Sequence, residues 1–380
     1  MRVQIIKPLA FKKNWLAALA IFLLMSCNSE YIGVSNPSGV FQLSRIDNIF
    51  FTKDNGLLIM GVYNNKVSII KTNSDFGIEW SRSNYEWGTS TSSGYGWGSS
   101  FYSVQVTKMF QRNDGTYICV GSVMEGGDVV DYKTLLVELN KRGEQTRKVE
   151  FQNMNAHNAL QTTDGGYAIF GTKLTKLDRN LNQLWQKDIY DYVYYPNQII
   201  NTSDGGFAIT GSYNGDQVYL KKYNANGTEV LSRTYKHNDS PFEEVGLDLV
   251  LLADNGFLIV GRAPNTLSLK NNIDCQIIRT NSSGDTLWTK RFGDATNDWL
   301  GKIVSYNQNE FIIQGTSGYP NENPKSILFK INNKGQIIDS IRTTQFPLIV
   351  YSPLKYYIKA QSVNSDHIGL YKINSDKLFQ

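Results

Sequence analysis

Apolar residues in this chain are concentrated in short runs of four or five positions, and each run follows a turn rich in Asp, Asn and Gly. The clearest turns are 163–166 (Thr-Asp-Gly-Gly) and 203–206 (Ser-Asp-Gly-Gly). Runs of this kind recur along the sequence and end at Gly61, Gly121, Gly171, Gly211, Gly261 and Gly315, and a seventh, eroded copy ends at Ala360. Asp-Gly and Asn-Gly pairs form tight hairpin turns because these residues tolerate positive φ. Each run is therefore predicted to be a β-strand that follows a hairpin turn.

A second motif follows each apolar run, with two to four apolar residues, a mostly charged residue, one further residue, and then Asn or Asp. The final positions of this motif are Asn73, Asn140, Asp178, Asn224, Asn281, Asn332 and Asn374. In several copies a strand-like segment with a Trp comes next, as at Trp185 and Trp288. Two motifs that alternate seven times predict seven units of four strands, which we name a to d in chain order.

The hydrophobic pattern also predicts how these units are arranged. Strand b of the fifth unit, 257–260, is apolar at every position, so both of its faces need cover. Blades stacked around an axis supply that cover. We therefore predict an all-β fold, a seven-bladed β-propeller of four-stranded antiparallel blades. Six blades with an irregular tail is the alternative, because the last unit leaves only 378–380 for strand d, unless residues 31–41 complete its sheet.

The repeats as a whole have a recognisable form. The run Thr-x-Asp-Gly-Gly-Phe/Tyr-x-Ile-x-Gly, followed by Asn-x-x-Gly-x-x-x-Trp-x-Lys, resembles the propeller-like repeats of many bacterial lipoproteins of unassigned function. The resemblance covers about residues 41–380. It implies a propeller and a location in the cell envelope, and it carries no activity with it.

The N-terminal segment indicates export. Lys12 and Lys13 precede an apolar run, 15–25, that is too short to span a membrane comfortably. The run ends in Leu-Met-Ser-Cys at 24–27, which resembles a bacterial lipobox and so implies cleavage before Cys27 and its acylation, for example with palmitate. An ordinary secretory signal and an uncleaved anchor are the alternatives.

These observations divide the chain into a lipoprotein signal peptide (1–26), a lipidated Cys with a tether that offers a closing strand (27–40), and the propeller (41–380). A lipid anchor predicts attachment to the outer membrane, with the inner membrane as the alternative. Removing the signal removes four of the 38 basic residues and none of the 34 acidic ones. The remaining charges balance, so we expect no nucleic-acid partner. We also expect a monomer.

The sequence contains no motif that points to catalysis or to a cofactor. A nucleophile elbow, a zinc-protease motif and a phosphate loop are all absent. Glycoside hydrolysis needs two opposed carboxylates, and nothing in the sequence pairs the loop candidates. These candidates are Glu125, Asp128, Asp131, Glu243, Glu244, Asp294 and Asp298. We therefore expect a protein that is not an enzyme and holds no cofactor or metal.

The connections predict where this propeller binds. In an up-and-down blade the a–b and c–d turns share one face, and the b–c and d–a connections share the other. Nearly all the variation in length falls on the second face, where aromatic residues stand among Gly and Ser. They are Tyr85, Trp87, Tyr95, Trp97, Phe101, Tyr102, Tyr192, Tyr194, Trp299 and Tyr319. Such rings suit partner or sugar binding, and packing on one another is the alternative.

These features favour a non-catalytic, envelope-anchored scaffold that binds an envelope protein through its aromatic loops. A glycan-binding lipoprotein that captures polysaccharide is the main alternative, because sugar rings stack on exposed aromatic side chains. A glycan-active hydrolase is a third hypothesis, from another class. The fold alone does not choose among them.

Overall fold

The computed structural model describes residues 40–43, 45–64, 66–83, 85, 91–93, 100–126, 130–189, 194–236, 244–264, 273–293, 297–318, 325–343, 348–351, 356–364 and 367–374. Within these ranges the regular elements are β-strands and there is no α-helix, which confirms the all-β prediction. A search of the same residues found no helix of the length and apolarity needed to cross a membrane.

The described strands form seven antiparallel sheets, six with four strands and one with five, and the chain is a β-propeller. The first blade consists of β2 (Arg45–Phe51), β3 (Leu57–Tyr63), β4 (Lys66–Thr72) and β5 (Ile78–Arg82). The second consists of β6 (Thr91–Ser93), β7 (Ser100–Gln111), β8 (Tyr117–Gly126), β9 (Val130–Leu139) and β10 (Gln145–Gln152). The third consists of β11 (Ala156–Gln161), β12 (Tyr167–Gly171), β13 (Lys173–Leu177) and β14 (Gln183–Asp188). The fourth blade consists of β15 (Tyr194–Asn201), β16 (Phe207–Tyr213), β17 (Gln217–Tyr223) and β18 (Glu229–Tyr235), and the fifth of β19 (Val245–Leu251), β20 (Phe257–Pro264), β21 (Ile273–Thr280) and β22 (Thr286–Phe292). The sixth consists of β23 (Asp298–Ser305), β24 (Glu310–Ser317), β25 (Lys325–Asn332) and β26 (Ile337–Thr343). The seventh consists of β27 (Leu348–Tyr351), β28 (Tyr356–Asn364), β29 (His367–Asn374) and β1 (Val40–Gln42).

Strand a lies at the inner end of each four-stranded sheet and strand d at the outer end, and in the five-stranded sheet β6 pairs with the free side of strand a, β7. Inner strands of successive blades contact one another, as β11 does with β15 and β15 with β19. Strands b are buried on both faces, as in β12, whereas strands d such as β22 are largely exposed. This decrease in burial from strand b to strand d explains the apolar runs of the sequence, because only strands b and c are covered by a blade on each side.

The hydrophobic core lies between the blades. Leu58 and Met60 of the first blade pack against Cys119 and Val137 of the second, and all four side chains are buried. Equivalent clusters join each following pair of blades through the fifth and sixth. Burial of apolar surface contributes about 25 cal/mol per Å². The stability of each blade therefore depends on its neighbours.

The N-terminal segment closes the ring. β1 pairs antiparallel with β29, with Val40 opposite Gly369 and Gln42 opposite His367, so it supplies strand d of the seventh blade. Phe41 is fully buried in a cluster with Ile49 and other residues of the first blade. The N-terminal segment thus completes the last sheet, which was one of the two alternatives that the sequence left open. The structure shows seven blades and not six.

A buried cation in strand c holds the a–b turn of the third blade. The side chain of Lys176 is only 4% exposed. Its ammonium group donates to both carboxylate oxygens of Asp164 (2.9 Å each), to Thr162 Oγ1 (3.0 Å) and to the carbonyl oxygen of Leu177 (3.1 Å). Burial alone would raise the pKa of Asp164, but hydrogen bonds from Lys176, Thr162 and Gly166 N lower it to about 2. We call this contact the turn latch.

The turn latch recurs in other blades. The pairs are Lys71 with Asp54 (2.8 Å), Lys222 with Asp204 (2.6 Å) and Arg279 with Asp254. The turn and strand c approach closely there, since a Cβ atom on Gly166 would lie 2.2 Å from the carbonyl oxygen of Leu177. The charged residue of the second sequence motif is therefore the counter-ion of the aspartate in the first.

In two further blades an ion pair also joins the a–b turn to strand c, but other residues supply its charges. In the second blade Glu138 occupies the strand-c position and pairs with Arg112 of the turn at 2.6 Å. In the sixth, Lys330 pairs at 3.1 Å with Glu310, which replaces the final Gly of the turn. These exchanges explain why the charged positions of the second and sixth units do not follow the pattern of Asp with Lys or Arg found in the first, third, fourth and fifth units.

The Asn or Asp of the second motif organises the c–d turn. Asn224 Oδ1 accepts hydrogen bonds from the backbone N–H groups of Asn226 (3.0 Å) and Thr228 (2.9 Å). Gly227 between them has a φ of 78°. Asp178 accepts the two corresponding bonds in the third blade. A short side chain with an acceptor oxygen is therefore what this position requires.

We expect Asp164→Asn to lower the free energy of unfolding at pH 7 by about 1–3 kcal/mol. The change leaves the buried ammonium group of Lys176 without a counter-charge, and the partial exposure of Asp164 keeps the loss below that of a fully buried pair. Because the pKa of Asp164 is lowered in the fold, the wild-type protein should lose this contribution as the pH falls from about 4 to about 2. Denaturant unfolding at several pH values measures both effects.

Asp178→Asn is the matched control for that measurement. It removes a carboxylate from the same blade, and Asn already performs the same role in five other described turns. Equal unfolding free energies for the two variants would contradict a stabilising turn latch.

Candidate functional site

The two faces of the propeller differ as the sequence predicted. The a–b and c–d turns of the first six blades are five-residue turns closed by the same backbone hydrogen bonds, as from Thr202 N to Gly206 O (3.0 Å) and from Asn224 N to Thr228 O (2.9 Å). We call this the turn face. The b–c and d–a connections, which vary in length, lie on the opposite face, which we call the loop face. The variable surface of the protein is thus the loop face.

The second blade rises above the loop face. Its inner strand β7 begins seven residues before the bulge at Thr107, whereas β15 of the fourth blade begins three residues before the bulge at Asn197. Four additional residues extend a strand by about 13 Å. β8 and β9 lengthen with it, and β6 pairs with the start of β7 as a fifth strand. We call the residues 91–93, 100–104, 123–126 and 130–133 the blade-two arm.

Several predicted binding residues belong to strands at the loop face. Phe101 and Tyr102 lie on the blade-two arm, opposite Gly126 and Glu125. Tyr194 begins β15, and Trp299 lies in β23 opposite Thr316. The side chains of these four aromatic residues lie outside the described set. The predicted residues Trp87, Tyr95, Trp97, Tyr192 and Tyr319 lie outside the described residues altogether, as does Cys27.

Tyr85 is the one predicted binding residue whose side-chain contacts the structure describes. Its ring packs against the core between the first two blades. Its hydroxyl donates to the carbonyl oxygen of Gly143 at 3.2 Å, and burial raises its pKa. Tyr235 makes the same contact with Gly284 at 2.7 Å. Tyr85 therefore packs between the first two blades, as Tyr235 does between the fourth and fifth.

The tryptophans of strand d are also used for packing. A Cβ atom on Gly143 of the second blade would lie 2.5 Å from the ring of Trp80 in the first. Trp185 covers Gly227 in the same way and donates from its indole nitrogen to Ala225 O at 3.2 Å. Each ring thus rests on the c–d turn of the next blade. The described aromatic residues of the outer strands hold blades together.

A belt of polar side chains lies on the inner strands. Each described inner strand of the first six blades has a bulge, and the residue after it is polar. These residues, which we call the inner polar belt, are Asn48, Lys108, Asn158, Gln198, Asp248 and Lys302. Because the inner strands surround the axis, the belt brings together residues from six blades. The sequence analysis did not identify it.

Amide and carboxylate groups of the belt link successive blades. Asn158 Nδ2 donates to Gln198 Oε1 at 2.6 Å, and Gln198 Nε2 donates to Asp248 Oδ1 at 2.7 Å. Asp248 Oδ2 accepts the backbone N–H of Ile303 in the next blade at 3.1 Å. This chain of hydrogen bonds fixes four blades around the axis and occupies most of the acceptors of Asp248.

The two lysines of the belt differ from these linked groups. Lys108 Nζ lies 5.6 Å from the centre of the Phe50 ring, and Lys302 Nζ lies 3.9 Å from Asp248 Oδ2. Burial, followed by repulsion from Lys302, lowers the pKa of Lys108 to about 8, and attraction from Asp248 opposes the change. Lys108 thus carries a charge that its surroundings disfavour.

Of the carboxylates considered for catalysis, Glu125 and Asp131 lie opposite each other in β8 and β9, and the others that the structure describes lie elsewhere. Glu244 is buried and pairs with Arg291 at 3.1 Å, while Asp131 is exposed at the blade-two arm. Glu125 lies in β8 with its side chain outside the described set, Asp298 is buried at the start of β23, and Asp128, Glu243 and Asp294 lie outside the described residues. Among the described residues no three His, Cys, Asp or Glu side chains are placed to hold a metal ion.

Comparison with known proteins gives a likeness of fold. No protein-family model and no curated protein matches the chain. Raptor from Chaetomium thermophilum is 11% identical, with a TM-score of 0.54, over 93% of this chain and 30% of that one. The structure of BBS1N in complex with ARL6DN is 10% identical, with a TM-score of 0.50, over 91% and 98%. A Bacteroides caccae protein of unknown function is 14% identical, with a TM-score of 0.38, over 65% and 82%. At such identities the likeness concerns the fold alone.

Proposed function

We propose that this chain is a non-catalytic interaction scaffold of the cell envelope, anchored through Cys27, that binds an envelope protein through its loop face. The observation that carries the proposal is the blade-two arm. The inner strand β7 extends about 13 Å further than β15 on the side of the loop face, and this extra length of sheet offers additional surface to a partner. A specific protein interface needs about 800 Å² on each partner, and an arm beside the loops adds to the area available.

The chemistry of the described residues supports a binding role for this face. The polar turns of the turn face satisfy their own hydrogen bonds, and the strand-d tryptophans pack on neighbouring blades. Phe101 and Tyr102 stand on the arm, in strands that continue beyond the ends of the other blades. Aromatic residues on a rigid sheet suit a binding surface, because little conformational entropy is lost when a partner covers them.

Glycan capture is the second candidate, and one feature of the arm favours it. Tyr102 pairs with Glu125, and Glu125 pairs with Asp131 across the next strand. Aromatic residues next to carboxylates suit sugars, since the rings stack on apolar C–H faces while the carboxylates accept hydrogen bonds from hydroxyl groups.

The double variant Phe101→Ala/Tyr102→Ala tests the proposed function. We expect the full chain to form a cross-linked complex with a defined envelope protein in membranes, and the double variant to lose at least about tenfold of that yield. Ile337→Ala/Ile338→Ala is the matched control, because it removes an adjacent pair of exposed apolar side chains from the outer strand of another blade.

The same variants decide between the two candidates. Binding to a polysaccharide panel that requires Phe101 and Tyr102, with no protein complex, would replace the scaffold by glycan capture. A protein complex that forms equally well with both double variants would contradict a role for the arm.

The proposed anchor has its own test. We expect the wild-type chain to partition into a detergent phase with an acylated N-terminal Cys27, because two or more acyl chains bind membranes stably. Cys27→Ala should remain unacylated, and Ser29→Ala, two residues away, should behave as the wild type. Mass spectrometry of the purified protein identifies the modification. Detergent partitioning that survives Cys27→Ala would contradict the assignment.

A further inference from the structure

The two belt lysines bring positive charge into the ring from different blades. Lys108 belongs to β7 of the second blade, and its ammonium group lies over the Phe50 ring of the first. The same group is electrostatically coupled to Lys302 of the sixth blade and to Asp248 of the fifth. Lys108 and Lys302 each follow the bulge of an inner strand, so both lysines occupy the same level of the inner polar belt around the axis.

Neither ammonium group has a hydrogen-bond acceptor among the described residues. Asp248 Oδ1 accepts from Gln198 Nε2 (2.7 Å) and from Leu249 N (2.9 Å), and Oδ2 accepts from Ile303 N (3.1 Å). Lys302 Nζ, at 3.9 Å from Oδ2, is beyond hydrogen-bond distance. Each ammonium group has three N–H donors, so the pair has donors available for a ligand.

Neither lysine is fully buried. The side chain of Lys302 is 62% exposed, and Lys108 is half-buried. Half-burial matters because an ion pair formed away from bulk water is stronger than one on an open surface. Asn158 and Gln198 are occupied within the belt and Asn48 Nδ2 donates to Thr107 O (3.3 Å), so the charge of the site is set by these two cations and one carboxylate.

We propose that the inner polar belt binds a small oxyanion between Lys108 and Lys302. The ligand class is a carboxylate or a tetrahedral oxyanion such as sulfate or phosphate, since both accept several N–H donors and neutralise two positive charges. The site is separate from the loop face and does not depend on the scaffold proposal. An anion there would relieve the mutual repulsion of the lysines, which also disfavours the charged form of Lys108 in the free protein.

Calorimetric titration of the full chain with sulfate tests this site. Sulfate keeps its charge between pH 7 and pH 9, so any change of affinity over that range reports on the protein. We expect Lys108→Met and Lys302→Met each to weaken sulfate binding by at least about tenfold. Wild-type affinity should also fall by about tenfold from pH 7 to pH 9, because Lys108 loses its proton near pH 8. Lys302 and Asp248 are the charged groups that act on Lys108 among the described residues.

Lys334→Met is the matched control, because it removes an exposed lysine from the c–d turn of the sixth blade. A parallel titration with acetate separates the two classes of oxyanion, and binding of either one that depends on both lysines supports the site. If Lys108→Met does not fold, Lys302→Met still decides, since its exposed side chain is dispensable for packing. Absence of binding by the wild type, or binding that both Met variants retain, would overturn the proposal.

Discussion

Closure of the ring is the constraint on which the other features depend. Strands b and c of the first six blades bury most of their side chains between neighbouring blades, and an open ring would expose the apolar side chains of the first blade that pack against Phe41. β1 removes that exposure, because it pairs with β29 of the last blade while Phe41 packs among residues of the first. Closure also brings Lys108 and Lys302 to the same axis, so the inner polar belt exists only in the closed ring.

Most chemically conspicuous residues of the described blades serve the fold itself. The aspartates of the a–b turns in the first, third, fourth and fifth blades are the counter-ions of strand-c cations such as Lys176. The tryptophans of strand d, such as Trp185, cover turns of the next blade. Because these groups are occupied, binding is left to the surfaces that repeat least. Those surfaces are the loop face with its blade-two arm and, at the centre, the two belt lysines.

The sequence predicted what depends on local patterns. Turn residues and apolar runs identified the blades and the two faces, because a hairpin turn is specified by adjacent residues. The partner of Asp54 is Lys71 in another strand, and local pattern alone does not join them. The contact of Tyr85 with Gly143 joins residues 58 positions apart, and local pattern does not predict it either. The sequence did not predict the blade-two arm, because no turn residues mark the place where β7 becomes longer than the other inner strands. It did not predict the inner polar belt either, because the residues that follow the bulges are of varied type.

Equilibrium unfolding of Phe41→Ala tests ring closure most directly, with Gln42→Ala as the neighbouring control. Phe41 is fully buried, whereas Gln42 is exposed in the same strand and contacts only Tyr63 OH among the described side chains. We predict that Phe41→Ala lowers the free energy of unfolding by about 3–5 kcal/mol, and that Gln42→Ala changes it by less than about 1 kcal/mol. Similar, small effects of the two substitutions would contradict a propeller closed by its N-terminal strand.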